Sequence, residues 1–64
     1  MNQLLIDDSE VGEILALTAR QVERMARRGE IPFVRLPNKE IRYDPIDIEI
    51  WLQAIKARGD EGTP

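Results

Sequence analysis

Three arginines repeat at a spacing that places their guanidinium groups on one side of a helix. Arg20, Arg24 and Arg27 are separated by four and three residues, the spacing of neighbours on a helical face. A guanidinium group can clamp a phosphate with two hydrogen bonds, or pair with the O6 and N7 atoms of guanine. The spacing therefore indicates a surface for nucleic acid. The alternative is an ordinary solvated face, on which Glu23 pairs with the neighbouring arginines.

Six more polar residues could join such a surface. Thr18 and Gln21 lie at the start of the same predicted helix, where one could reach a phosphate and the other read adenine, although both could instead cap the helix. Arg28 at the helix end could bind a phosphate or stabilise the negative end of the helix dipole. The other three candidates lie in a predicted hairpin and are Asn38, Lys39 and Arg42. Arg35 points outward from this hairpin, towards phosphate or solvent, and the sequence does not separate the two.

Positive charge is concentrated in one part of this 64-residue chain, although its net charge is −3. Between residues 20 and 42, seven cations stand against three anions, whereas the rest of the chain carries a balance of −7. Charges farther apart than a Debye length of about 8–10 Å are largely screened, so a phosphate responds mainly to the local balance. Because the rest of the chain is acidic, we expect a single copy of the protein to bind nucleic acid non-specifically with only modest affinity.

The composition excludes several kinds of site. The chain has no cysteine and no histidine, so thiolate and imidazole ligands and disulfides are ruled out. Its paired carboxylates, Asp7 with Asp8 and Asp44 with Asp47, are explained by helix capping. We therefore expect no enzymatic activity, metal, cofactor or small-molecule substrate. We also expect a cytoplasmic protein without a membrane partner, because no basic leader and no apolar run of about 18 residues is visible.

Two helix-start signals define the elements that carry the arginines. In each, a capping side chain is followed three residues later by a carboxylate or amide that can bond back to it. The signals are Asp7 with Glu10, and Thr18 with Gln21. They predict a first helix over residues 8–15 and a second from residue 19 to about 28, ended by Gly29. The short gap between them is typical of a helix-turn-helix, whose second helix enters a DNA groove.

The pattern after Gly29 alternates and predicts a hairpin, with strands over residues 31–36 and 40–43. Asp44 then caps a third helix, which is expected to end at Gly59. The predicted fold is α+β and mainly α: two short helices, a two-stranded hairpin wing and a third helix, a winged helix-turn-helix.

The domain is predicted to comprise residues 1–58. Residues 59–64 are expected to be a disordered tail or a truncated linker, because they are small, charged and without periodicity.

Apolar residues at helical spacing predict the core. They are Val11, Ile14, Leu15, Val22, Met25, Ala26, Ile48, Trp51, Leu52 and Ile55. The segment Leu4-Leu5-Ile6 is expected to lie against this core. Ile46 and Ile50 lie beside the apolar face of the third predicted helix. They either extend the core, which is slightly favoured, or form an exposed strip for a second copy or another protein.

The ordered set of elements resembles the excisionase family and the DNA-binding domain of MerR-like regulators. The matching positions lie between about residues 5 and 53; they are Ile6-Asp7, Glu10-Val11, Leu15, Leu17-Thr18, Arg27 to Pro32, Val34-Arg35, Ile41 to Tyr43, Asp47-Ile48 and Trp51-Leu52. Two positions depart from the pattern: Ala16 replaces the glycine usual in the turn, and Glu23 stands where aromatic or basic residues are common.

The resemblance implies sequence-specific binding of double-stranded DNA, with the second helix in the major groove and the wing on the backbone or minor groove. It further implies an architectural factor in phage or mobile-element recombination, or a small transcriptional regulator. A second class stays open: a protein-interaction module of the same fold with little DNA affinity. Its partner would be a recombinase or integrase, another regulator, or a second copy on an adjacent site.

Overall fold

Both predicted capping boxes form, and they fix where the first two helices begin. The computed structural model describes residues 4–62; in it, helix α1 spans Asp8–Leu15 and helix α2 spans Ala19–Arg27. The Asp7 carboxylate accepts a hydrogen bond from the Glu10 N–H at 2.9 Å, and the Glu10 carboxylate accepts one from the Asp7 N–H at 3.1 Å. Thr18 and Gln21 make the equivalent pair at 3.1 and 2.9 Å. These bonds satisfy amides that have no partner within the helix, so the predicted starts are confirmed.

The turn between α1 and α2 is tight, and one glycine makes it possible. Ala16 ends α1 in the left-handed conformation, with φ 61° and ψ 42°, which costs a residue with a Cβ about 1–2 kcal/mol. The Leu17 N–H then donates to the Gly12 carbonyl at 2.8 Å. A Cβ on Gly12 would lie only 2.5 Å from the Leu17 carbonyl oxygen, so a larger residue would push the turn away from the helix.

Helix α2 is terminated by Gly29, two residues beyond its last residue, as the sequence predicts. Gly29 has a φ of 73° and its N–H donates to the Ala26 carbonyl at 2.9 Å. The next N–H, of Glu30, reaches back to the Met25 carbonyl at 2.9 Å. This pair of bonds is a Schellman motif, which favours glycine at the left-handed position.

The hairpin, which we call the wing, is shorter than predicted. Strands β1 (Val34–Arg35) and β2 (Ile41–Arg42) are antiparallel, and Val34 pairs with Arg42. Pro32 lacks the N–H that would extend β1. Tyr43 pairs with Ile6 instead, through two N–H···O bonds of 2.8 Å. The backbone of Tyr43 therefore pairs with the N-terminal segment, and not with the predicted start of β1.

The wing turns through a three-residue loop with its positive φ at Lys39. The Lys39 N–H donates to the Leu36 carbonyl, and the Leu36 N–H donates to the Glu40 carbonyl, both at 2.8 Å. Lys39 has a φ of 74°, as the last residue of such a loop requires. The Asn38 side-chain oxygen accepts from the Glu40 N–H at 3.0 Å, so Asn38 shapes the turn without adopting the left-handed conformation itself.

Helix α3 spans Pro45–Gly62. The Asp44 carboxylate accepts from the Ile46 N–H at 2.9 Å, which confirms the predicted cap. The predicted end at Gly59 is wrong, because a single glycine inside a helix costs only about 1 kcal/mol relative to alanine and does not stop it. The boundary between domain and tail at residue 58 stays a prediction; residues 63 and 64 of that tail lie outside the described residues.

One core joins the three helices and the wing. Its fully buried members are Val11, Val22, Ala26, Ile31, Tyr43 and Ile48, with Trp51 packed against them. Three predicted core positions are wrong, as the exposed fractions show: Leu4 71%, Ile14 54% and Ile55 40%. Ile46 and Ile50, each 65% exposed, match the exposed strip and not the slightly favoured extension of the core. Ile46 and Ile50 are each two residues from Ile48, about 200° around α3, and thus face away from the core. Ile14 lies on the far flank of the stripe that Val11 and Leu15 form.

No helix in the described part of the chain is both long enough and apolar enough to cross a membrane.

Candidate nucleic-acid interface

An open groove of about 290 Å³ separates helix α2 and the start of α1 from the wing. Its charged lining residues are Asp8, Glu23, Arg27, Arg35, Lys39, Glu40 and Arg42. The fold therefore brings Arg27 of α2 together with Lys39 and Arg42 of the wing, residues that the sequence selects from two separate elements. Cations outnumber anions around the groove by four to three.

A second, shallower groove of about 240 Å³ runs over α2 itself and is lined by Arg20, Glu23, Arg24 and Arg27. The two grooves share Glu23 and Arg27, so they adjoin. We call the cations that line them the basic surface: Arg20, Arg24, Arg27, Arg35, Lys39 and Arg42. The surface is continuous from α2 to the tip of the wing.

Three ion pairs are present among the described side chains, and each one holds an arginine of the predicted set. The pairs are Arg27 with Glu23 at 2.9 Å, Arg42 with Glu40 at 2.7 Å, and Arg28 with Glu30 at 3.9 Å. Most of these side chains are well exposed, so each pair contributes little to stability. A phosphate oxygen could replace the carboxylate at small cost. In the described part of the chain, Arg20, Arg24 and Lys39 have no ion pair.

Thr18 and Gln21 are occupied by the cap. The Gln21 side-chain oxygen accepts from both the N–H and the hydroxyl of Thr18, at 2.9 and 3.3 Å. Reading adenine with two hydrogen bonds needs both the oxygen and the amide nitrogen of a glutamine, so it would break the capping box. Neither residue lines the two grooves described above.

Arg28 and Asn38 also lie outside both grooves. Arg28 is the C-terminal cap residue of α2 and faces Glu30, as described above. Asn38 has its side-chain oxygen bound in the wing turn. The structure thus gives four of the nine predicted residues a local structural role beside any contact with DNA: Thr18, Gln21, Arg28 and Asn38.

Arg35 is an addition to the predicted set. Its guanidinium carbon lies 5.8 Å from the centre of the Phe33 ring, within the range of a cation–π contact. The ring supports the guanidinium group at the edge of the first groove. The outward alternation of Arg35 with Val34 and Leu36 is the sequence signal for this position, but it does not reveal which element lies opposite.

Tyr43 is a buried residue near two carboxylates that line the first groove, Asp8 and Glu23, and the sequence does not select it as a candidate site residue. Its side chain is fully buried, and its hydroxyl has no hydrogen-bond partner among the described residues. Burial, together with the negative charges of Asp8 and Glu23, raises the pKa of Tyr43 from 10.0 to about 12, and burial has the largest effect. The phenol therefore stays neutral at ordinary pH, near two carboxylates of the groove lining.

Trp51 links the C-terminal end of α2 to α3. Its indole N–H donates to the Glu30 carbonyl at 3.1 Å, across 21 residues of sequence. The ring packs against the core, as predicted. Trp51 thus supports the surface from behind.

Among the described residues, no group of three or more acidic side chains is placed to hold a metal ion.

Comparison with known proteins agrees with this geometry. No curated protein and no solved structure matches the chain. A family model described as a helix-turn-helix domain matches residues 5–56, which include α1, α2, the wing and most of α3. With its two-stranded wing, the fold is a winged helix-turn-helix. Domains of this kind typically bind DNA and are typically not enzymes. Because the match covers most of its length, this chain belongs to the helix-turn-helix domain family.

Proposed function

We propose that this protein binds specific sequences in double-stranded DNA through the basic surface. The observation that supports this function is that α2 and the wing, two consecutive elements of the chain, place their cations around adjoining grooves. A surface of this kind suits a backbone that carries one negative charge per about 1.7 Å of duplex axis.

In this arrangement α2 lies in the major groove, whose width of about 12 Å admits one helix. Arg20 and Arg24, free of ion pairs in the described structure, contact base edges or phosphates. Lys39 at the tip of the wing and Arg42 on its second strand contact the neighbouring backbone or minor groove. Thr18, Gln21, Arg28 and Asn38 are proposed to contribute secondary contacts, subject to their roles in caps and turns.

The resemblance to excisionases supports a more specific role, in which the protein acts in the cytoplasm as an architectural factor in recombination or as a small transcriptional regulator. No catalytic step is assigned to it, because the surface contains only groups that bind and orient. A recombinase or a second copy on an adjacent site would then be a further partner.

The test is fluorescence anisotropy with a labelled random duplex, at salt concentrations of about 50 and 200 mM. Arg24→Ala and Lys39→Ala should each weaken binding and reduce the slope of log K against log salt by about 0.9, the value for one phosphate contact. Lys56→Ala is the matched control, because Lys56 is an exposed cation on α3 that lines neither groove. Unchanged affinity in both groove variants would refute the proposal, as would a wild-type protein that is folded yet does not bind.

A second function is favoured by one observation. Ile46 and Ile50 are each 65% exposed, one helical turn apart on the face of α3 that points away from the core. Such a strip suits a protein partner such as a recombinase, with Asp47 and Glu49 at its margins.

If protein binding is the main function, Ile50→Asp should abolish the complex with a recombinase encoded near this chain's gene, as measured by co-purification. Arg24→Ala and Lys39→Ala should then have little effect. If DNA binding is the main function, Ile50→Asp should leave the affinity for a single DNA site unchanged.

A further inference from the structure

Glu23 occupies the centre of the basic surface. It is the one carboxylate within α2, and both grooves include it in their lining. Its side chain is 43% exposed, so it remains open to solvent among the arginines. A DNA duplex seated on these grooves would therefore meet a negative charge at the middle of its contact.

Folding does not account for this carboxylate. Its ion pair with Arg27 is an exposed i, i+4 pair, which is worth only a few tenths of a kcal/mol. The buried Tyr43 hydroxyl is close enough to respond to its charge, yet it makes no hydrogen bond with Glu23. The carboxylate is instead directed along α2 towards the Arg27 guanidinium group, 2.9 Å away.

The edges of the DNA bases explain what an acceptor at this position can do. A carboxylate only accepts hydrogen bonds, and in the major groove the amino groups of cytosine N4 and adenine N6 are the donors available to it. Guanine presents two acceptors there, and thymine presents an acceptor and a methyl group. A fixed carboxylate therefore rejects guanine and thymine at the base it faces, and it weakens every register that places a phosphate there.

We infer that Glu23 is a specificity-determining residue, which selects an amino-bearing base, foremost cytosine, at one position of the DNA site. The Arg27 guanidinium group, 2.9 Å from this carboxylate, lies beside it on the groove side of α2. This inference rests on the proposed DNA-binding function. Under this inference, Glu23 lowers the affinity for non-specific DNA and raises the discrimination between bases.

The experiment is selection from a randomised duplex library, performed in parallel with the wild-type protein, Glu23→Gln and Glu23→Asp. Wild-type protein should enrich a site with cytosine or adenine at a position where Glu23→Gln accepts other bases. Glu23→Asp keeps the charge on a shorter side chain, so it should lose the same preference without gaining non-specific affinity. Glu49→Gln on α3 removes the same charge outside both grooves, and it should retain the wild-type site. Circular dichroism establishes that each variant is folded.

A base substitution then tests the contact directly. Replacing the selected base pair so that thymine faces Glu23 should weaken wild-type binding about tenfold or more, and it should change Glu23→Gln binding far less. If Glu23→Gln selects the same bases at every position as the wild-type protein, the inference is overturned, even when its overall affinity rises. If the wild-type protein enriches no sequence and binds no duplex, the proposed function fails instead.

Discussion

Tyr43 lies outside the basic surface, but two carboxylates of the groove lining influence its environment. Its hydroxyl is buried without a partner among the described residues, in the field of Asp8 and Glu23. An unpaired buried hydroxyl carries a desolvation penalty of about 1–3 kcal/mol. The aromatic ring must therefore supply the net stabilisation at this position, through its packing against Val11, Ile48 and their neighbours in the core.

This environment predicts a pH dependence with a definite sign. The pKa of Tyr43 is raised from 10.0 to about 12 in the folded protein, so below pH 10 both states are protonated and stability is unaffected. Between pH 10 and pH 12 the unfolded chain loses the proton first. The free energy of unfolding should therefore fall as pH rises, by about 2–3 kcal/mol in total.

Urea unfolding of wild-type protein and Tyr43→Phe, followed by circular dichroism, checks this prediction. Below pH 10 the phenylalanine variant should be as stable as the wild-type protein or up to about 1 kcal/mol more stable, because no hydrogen bond is lost. The part of the alkaline decline that belongs to Tyr43 should be missing in the variant. Identical pH profiles for the two proteins would contradict the assignment.

Helix starts were predictable from the sequence because each depends on side chains three residues apart. Asp7 with Glu10 and Thr18 with Gln21 form the expected boxes, and these bonds are local. The ends of elements were less predictable. The strand limits depend on Tyr43 pairing with Ile6, a contact across 37 residues of sequence, and α3 passes Gly59 without stopping.

At the wing turn, stability and the proposed DNA binding favour different residues: the backbone conformation favours glycine, and the phosphate contact needs the charge of lysine. Lys39 holds a left-handed φ of 74° at the tip, a conformation that glycine adopts without cost. Lys39→Gly should raise the free energy of unfolding by about 0.5–1 kcal/mol and, by removing a phosphate contact, weaken DNA binding.

Lys39→Ala is the matched variant for this prediction. It removes the same charge but keeps the strained backbone, so it should lose the same DNA affinity without the gain in stability. Thermal unfolding and DNA titration of the two variants separate these effects. A glycine variant with wild-type affinity would show that the Lys39 charge does not contact DNA.

At the scale of the whole molecule, the charges are unevenly distributed along the chain: residues 20–42 carry a balance of +4 and the remaining residues −7. The principal extents are 42, 26 and 18 Å, so the long axis exceeds the Debye length of about 8 Å at physiological salt several times over. Carboxylates that line neither groove, such as Glu49, should therefore influence DNA only when salt is low. The sequence was sufficient to predict this uneven distribution, because the cations fall within one segment. It could not predict that Arg35 joins the surface, since that depends on how the wing packs opposite α2.

Glu49→Gln on α3 tests this salt dependence. At about 10 mM salt the Debye length is about 30 Å, and the variant should associate with a random duplex about twofold faster. One charge at about 20 Å in water changes the energy by about 0.2 kcal/mol for each phosphate it faces. At about 150 mM salt the rates, measured by stopped-flow, should be equal. A difference that persists at high salt would place Glu49 next to the bound DNA.

The hydrogen bond from Trp51 to the Glu30 carbonyl gives this protein an internal optical probe. Trp51 is its single tryptophan, and its indole N–H is bonded to the backbone just beyond the end of α2. Its fluorescence emission should therefore report changes in the contact between α2 and α3 without any added label. A duplex that docks on a rigid surface would leave the emission wavelength unchanged, whereas one that reorients α2 would release the indole and shift its spectrum to the red.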